Sequence, residues 1–223
     1  MAHLDLLSEQ QKAKRTRPAQ RFYWRVGKRG LDLILAIVLL PFLLPIIAAL
    51  ILMVRLCGGP GLYAHTRIGQ NGKTFTCWKI RTMVRDADGR LADHLAKNAE
   101  AAEEWKRTQK LQDDPRVTAL GQHLRRTSLD ELPQIWNVLR GEMSLVGPRP
   151  VTPSELERYG PHQQVYLSHK PGVTGLWQVF GRDDGCYAQR LQMDLSYTRQ
   201  IGMWRDLSLI ARTALVVIRG TGR

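Results

Sequence analysis

The chain has 223 residues, enough for one well-packed domain with an anchor but not for two large catalytic domains. Its 33 Lys and Arg outweigh 20 Asp and Glu, a net charge of +13, and 43% of its residues are hydrophobic. This balance excludes a disordered chain, a collagen-like fibre and a polytopic transporter, but not a single membrane segment.

Residues 1–20 are polar and basic, without periodicity, and read as a flexible tail suited to anionic lipid headgroups. Residues 33–54 follow as 22 consecutive uncharged, mostly apolar residues. At about 1.5 Å per residue such a run can cover a hydrocarbon core of roughly 30 Å. Eight basic residues and three acids lie at or before residue 54, which argues for a cytoplasmic N-terminus. The run is too long for a secretory signal, and no small-x-small cleavage site follows. Pro41 and Pro45 lie near its middle. Each removes a helical hydrogen bond and kinks the chain. Taken alone, they fit a sharp reversal or a kinked spanning helix equally well. Arg29 and Asp32, spaced i,i+3 at the entry to the run, can pair on one helix face. An acid at the edge of a bilayer calls for such a partner.

Residues 62–83 read as a β-hairpin. Two runs rich in β-branched and aromatic residues flank Gln70-Asn71-Gly72-Lys73, and Asn-Gly favours a type I′ turn. Residues 86–112, rich in Ala, Glu and Lys, predict one or two solvated surface helices. A helix is predicted from near Ser128 to Gly141. Ser128 and Glu131 fit a capping box, Pro133 falls in or just past the first turn, and Leu132, Ile135, Trp136 and Leu139 form an apolar stripe. From Pro150 to about Arg182 the chain reads as loop. Two helical patterns, near 186–200 and 204–219, close it. The last is amphipathic with basic ends, suited to a membrane surface or to a core.

Cys57, Cys77 and Cys186 are widely spaced and form no disulfide framework or zinc motif. The six histidines show no metal-binding spacing. The chemistry points instead to Asp130-Glu131. Adjacent acids at a helix start more often serve as capping residues. Here, however, Arg126 precedes them, Arg149 sits in the rigid Pro148-Arg149-Pro150, and Arg182 follows Gly181. Arginine forks match phosphate oxygens, and a carboxylate beside them suits phosphoryl chemistry with a divalent ion. No P-loop or GxGxxG is present, so side chains, the metal or a helix N-terminus must hold the phosphates.

Several ordered motifs resemble the bacterial sugar transferases, the monotopic phosphoglycosyl transferases. They are Lys28-Arg29-x-x-Asp32, Lys79-x-Arg81-Thr82-Met83, Ser128-Leu129-Asp130-Glu131-Leu132-Pro133-Gln134, Asn137-Val138-Leu139-Arg140-Gly141, Val146-Gly147-Pro148-Arg149-Pro150, Lys170-Pro171-Gly172-x-Thr174-Gly175 and Gln178-Val179-x-Gly181-Arg182. The resemblance covers the chain from about residue 22. It implies an α+β, helix-dominated fold: a re-entrant membrane helix, a small β-hairpin and amphipathic interfacial helices around a cytoplasmic catalytic core. The implied units are the tail 1–20, a membrane helix–break–helix over 21–57 with its break at Leu44-Pro45, and a catalytic domain over 58–223.

The resemblance further implies transfer of a hexose-1-phosphate from a UDP-sugar to undecaprenyl phosphate, with release of UMP, for exopolysaccharide or O-antigen synthesis. Asp130 would be the nucleophile, and Asp130 and Glu131 would hold Mg²⁺. Arg126, Arg149, Arg182, Lys79 and Arg81 would hold phosphate and nucleotide sugar. The subgroup resemblance favours galactose or glucose. The expected location is the cytoplasmic face of the bacterial inner membrane, on anionic lipids and without nucleic acid. The oligomeric state stays open, a homodimer included. UDP-sugars are cytosolic, so both flanks of the apolar run are expected in the cytoplasm, which favours re-entrance.

Two other readings compete. A membrane-tethered DNA-binding regulator would use the +13 charge and TSLDELPQIWNVLRG as a helix–turn–helix. The acids at the start of its recognition helix would repel DNA phosphates. A CDP-alcohol transferase would need several spans and an acidic motif absent from the chain.

Overall fold

The computed structural model describes residues 22–108, 111–181 and 187–219. The N-terminal tail, Arg182 and Cys186 lie outside the described residues. A π-helical turn, Tyr23–Gly27, leads into α1, Lys28–Leu56. Among the described residues α1 is the one helix long and apolar enough to cross a membrane. Pro41 and Pro45 both lie inside it, and the helix continues through them. The expected interruption at Leu44-Pro45 is therefore absent. Each proline deletes one donor, but its φ suits a helix, so the ladder survives around the gaps.

Hairpin strands β1, Leu62–Ile68, and β2, Thr74–Ile80, pair antiparallel with Tyr63 opposite Lys79 and His65 opposite Cys77. At the turn Asn71 and Gly72 both adopt positive φ, 59° and 76°, as a type I′ turn requires. Lys73 N–H reaches Gln70 O at 3.4 Å, inside a five-residue loop rather than a minimal two-residue one. The acidic and basic surface region forms α2, Ala87–Lys97, and α3, Ala99–Thr108. Then come α4, Ala119–Thr127, a 3-10 segment, Leu129–Gln134, and α5, Ile135–Arg140.

The predicted start at Ser128 differs from the observed one. Ser128 sits in the left-handed region, φ 56°, where it ends α4 and makes no side-chain cap. The capping box with Glu131 is absent because an N-cap needs extended backbone to aim its oxygen at the first turn. Pro133 lies inside the 3-10 segment, and α5 ends at Gly141 as predicted, with φ 79°. Ile135 and Val138 are buried, whereas Trp136 is exposed. The stripe is shifted because the 3-10 turns advance the chain by a smaller repeat than an α-helix does.

Strand β3, Ser144–Val146, pairs parallel with β4, Gly172–Thr174. The stretch between them, expected as loop, holds α6, Pro153–Glu157, and α7, Gln163–Leu167; α8, Leu176–Phe180, follows β4. A complete capping box starts α6: Thr152 accepts from Glu155 N–H while Glu155 accepts from Thr152 N–H. The sequence signature of this box is T-P-S-E, residues 152–155. The chain closes with α9, Tyr187–Arg199, and α10, Met203–Arg219, close to the predicted positions.

The main core joins α1, β2, α4, α5, β3, α9 and α10 through Ala36, Ile80, Leu124, Val138, Val146, Tyr197 and Leu209. Ile68, Val151, Tyr159 and Tyr166 make a smaller cluster beside it. Arg29 and Asp32 form no ion pair with each other among the described residues. Arg29 donates to Val138 O and Leu139 O at 2.6 and 2.9 Å, neutralising the carbonyl end of α5. Asp32 accepts from Leu145 N–H at 3.0 Å. Each finds a backbone partner in the domain, and together they root the apolar helix in it.

Candidate active site

The hairpin and the 3-10 segment meet through one buried side chain. Asn137, wholly buried on α5, accepts from Trp78 N–H at 3.2 Å and donates to Thr76 O and Glu142 Oε2, both at 2.7 Å. It acts on β2 as a neighbouring strand would. This sets Lys79, one residue on, against the acids of residues 130–131. Lys79 Nζ lies 2.7 Å from Glu131 Oε1 and 3.9 Å from Asp130 Oδ2. Arg149 approaches the same Glu131 oxygen at 3.8 Å.

Asp130 is 7% exposed. Burial pushes its pKa up from 3.8 to about 6, and the neighbouring Glu131 adds to the rise. Lys79, Arg125 and Arg149 pull it down. Burial thus makes the carboxylate more basic than usual, which favours nucleophilic attack. Lys79, Glu131, Arg149, Arg67 and Gln178 line a cleft beside it, with Gly172 and Val173 as its backbone wall. The cleft gathers Lys79, Arg67 and Arg149 around the Glu131 carboxylate, a set of cations suited to phosphate oxygens.

The structure thus gathers Asp130, Glu131, Lys79 and Arg149. Arg126 is exposed. Its neighbour Arg125 is half-buried, acts electrostatically on Asp130 and donates from Nε to Thr82 Oγ1 at 2.9 Å. Arg81 also departs from its expected role. It donates to Met83 O, Val84 O and Arg85 O and so braces the loop after β2. Gly121 allows α4 to reach that loop, since a Cβ there would stand 2.0 Å from Thr82 O. Arg182 lies outside the described residues. Arg67 lies outside the family motifs, although strand alternation places it two positions from His65 on the face that carries Lys79. Among the described residues no group of three or more His, Cys, Asp or Glu could hold a metal by itself.

The bacterial sugar transferase signature matches residues 23–220, and the chain belongs to that family. It is 46% identical over 198 residues to the undecaprenyl-phosphate galactose phosphotransferase of Salmonella typhimurium, covering 89% of this chain and 42% of that protein. It is 46% identical over 198 residues to the exopolysaccharide production protein ExoY of Sinorhizobium fredii, covering 88% of both. With the UDP-glucose:undecaprenyl-phosphate glucose-1-phosphate transferase of Escherichia coli it shares 38% over 198 residues, 85% of this chain and 39% of the relative. The chain therefore spans about two-fifths of the Salmonella and Escherichia relatives and most of the Sinorhizobium one.

Proposed function

We propose that the protein transfers a hexose-1-phosphate, from UDP-galactose or UDP-glucose, to undecaprenyl phosphate. The observation that carries this reading is a buried, basicity-raised Asp130 carboxylate at the edge of a cleft lined by Lys79 and Arg149. Relatives named as undecaprenyl-phosphate galactose and glucose phosphotransferases support the class of reaction.

An Asp130 oxygen attacks the β-phosphorus of the UDP-sugar. The bond from that phosphorus to the bridging oxygen breaks, UMP leaves with that oxygen, and an aspartyl-phosphosugar remains. A phosphate oxygen of undecaprenyl phosphate then attacks the same phosphorus. The bond to Asp130 breaks, which restores the carboxylate and yields an undecaprenyl diphosphate sugar. Lys79 and Arg149 offset the negative charge that two acids and a pyrophosphate bring together. Magnesium fits the donor set, because it takes one or two carboxylates and completes its shell with substrate oxygens. Asp130 and Glu131 would hold it, and it would neutralise phosphate charge.

The apolar helix is read as re-entrant, its direction changed by bends at Pro41 and Pro45 within a continuous helix rather than by an interruption, on the cytoplasmic face of the inner membrane. Both of its ends rest on the same domain: Arg29 grips α5, while Ile51 and Val54 pack against Gly61 and Gly59 before β1. Ala36, Ile47 and Leu50 are buried in one cluster, whereas Ile37, Val38, Phe42 and Leu44 between them are exposed. Periplasmic labelling of a cysteine at position 60 would contradict this reading. For the chemistry, purified protein with undecaprenyl phosphate should release UMP from UDP-galactose or UDP-glucose, and Asp130→Asn should release none. Full UMP release by that variant would sink the nucleophile assignment.

A further inference from the structure

Arg149 lies in a turn whose carbonyls and amides are taken up one after another. Gly172 N–H donates to Pro148 O at 2.8 Å, and Ile68 N–H donates to Val151 O at 2.9 Å. The two carbonyls between them go to arginines. Arg190 Nη2 reaches Arg149 O at 3.5 Å, and Arg67 Nη1 reaches Pro150 O at 3.4 Å. Both contacts are long, so neither arginine is held by them. What holds both is one carboxylate: Arg67 Nη1 lies 2.8 Å from Glu155 Oε2, and Arg190 Nη1 lies 3.3 Å from Glu155 Oε1.

Glu155 is itself fixed from three sides. Its Oε2 accepts from Thr152 N–H at 2.8 Å, its amide donates to Thr152 Oγ1 at 3.2 Å, and its carbonyl accepts from Tyr187 OH at 2.6 Å. The arginines come from opposite directions, Arg67 from β1 and Arg190 from α9, and both are largely buried. Largely buried arginines gathered on one carboxylate would repel without the acid between them.

We propose that Glu155, through Arg67 and Arg190, is a positioning residue that holds the Pro148-Arg149-Pro150 turn so that the Arg149 guanidinium faces the cleft and binds the nucleoside diphosphate of the donor. This deepens the transferase reading and rests on it. Arg149 is only 3.8 Å from Glu131, a loose ion pair on a partly exposed side chain. Its aim therefore depends on its backbone, which Asp194 engages by a backbone hydrogen bond and which Glu155 reaches through the two arginines without touching the cleft.

The test is a double-mutant cycle on the full-length protein, with UDP as the probe and its dissociation constant read by isothermal titration. Arg149→Ala should weaken UDP binding about tenfold, the loss of one arginine–phosphate fork. Glu155→Gln keeps the shape and the Thr152 contact but loses the charge. It should weaken binding by a similar factor, and the double variant should be no weaker than either single one. Arg190→Lys keeps the charge with a single-point donor and should fall between wild type and Glu155→Gln, which covers the case in which Glu155→Gln does not fold. Independent effects that multiply in the double variant, or unchanged binding in Glu155→Gln and Arg190→Lys, would overturn the proposal and leave the transferase reading standing. Unchanged binding in Arg149→Ala would remove Arg149 from the donor site, and the proposal with it.

Discussion

Replacing Lys79 by Met tests the electrostatic account of the site most directly. The ammonium is 2.7 Å from Glu131 and 3.9 Å from Asp130. At an effective dielectric near 20 these separations correspond to about 6 and about 4 kcal/mol of attraction. Lys79 retains about a fifth of its side-chain exposure, so solvent screens part of this. Half of the Asp130 value, about 2 kcal/mol, is a reasonable share to be lost when a pyrophosphate approaches the acids unaided, and it corresponds to about a 30-fold lower kcat/KM. Lys79→Arg keeps the charge and should recover most of that loss. The assay is UMP release from UDP-galactose and undecaprenyl phosphate, with thermal unfolding as the control for folding. Activity within about threefold of wild type in a folded Lys79→Met protein would refute the role given to Lys79.

Arg125→Ala should lower kcat/KM by at least about tenfold, because its guanidinium acts on Asp130; activity within about threefold of wild type in the same assay would remove Arg125 from the site. Asn137→Ala leaves Trp78 N–H and Thr76 O without their side-chain partner in a fully buried site and should cost about 2–4 kcal/mol, read as a lower unfolding midpoint. Asp194 gives a pH test. It accepts from Tyr159 OH at 2.8 Å and faces Arg190, and burial lifts its pKa from 3.8 to about 6. The folded protein therefore holds a proton that the unfolded chain releases above about pH 4, so this group's contribution to stability falls as pH rises through about 6. Asp194→Asn should abolish that fall and gain about 2 kcal/mol relative to wild type between pH 4.5 and 7.5. An unchanged stability difference at the two pH values would contradict it.

The parts legible in the sequence are those with a local cause. The hairpin follows from β-branched runs around Asn71-Gly72, and α9 and α10 follow from their periodicity. Asp130, Glu131, Lys79 and Arg149 were legible through family motifs. The errors arise where local signals compete or where partners are distant. Ser128-x-x-Glu131 and Thr152-x-x-Glu155 carry the same capping pattern, and only the second forms the box. Tertiary packing decided between them by driving Ser128 into the left-handed region. Arg125 and Arg126 are adjacent, and only the packing of α4 on Thr82 distinguishes them. Arg67 and Glu155 are 88 residues apart, beyond any periodicity.

The same reasoning explains how the anchor and the cleft come to act as one body. Sequence spacing paired Arg29 with Asp32 on the helix surface, where a pair would merely ease the entry of two charges into a bilayer. The structure turns both inward, onto α5 and β3. Asp206 on α10 completes the arrangement: it accepts from Tyr23 OH at 2.8 Å, Lys28 Nζ at 2.6 Å and Tyr197 OH at 2.8 Å, and Tyr197 OH also reaches Val146 O at 3.1 Å. A buried acid with three donors is costly to disrupt, since removing it strands an ammonium and two hydroxyls. The start of the apolar helix is thus tied to β3, the strand that runs directly into the Arg149 turn. A lipid phosphate has little freedom in depth at a bilayer surface. In the proposed reaction the acceptor is such a phosphate, and this buried network would fix the site relative to the apolar helix where a surface ion pair could not.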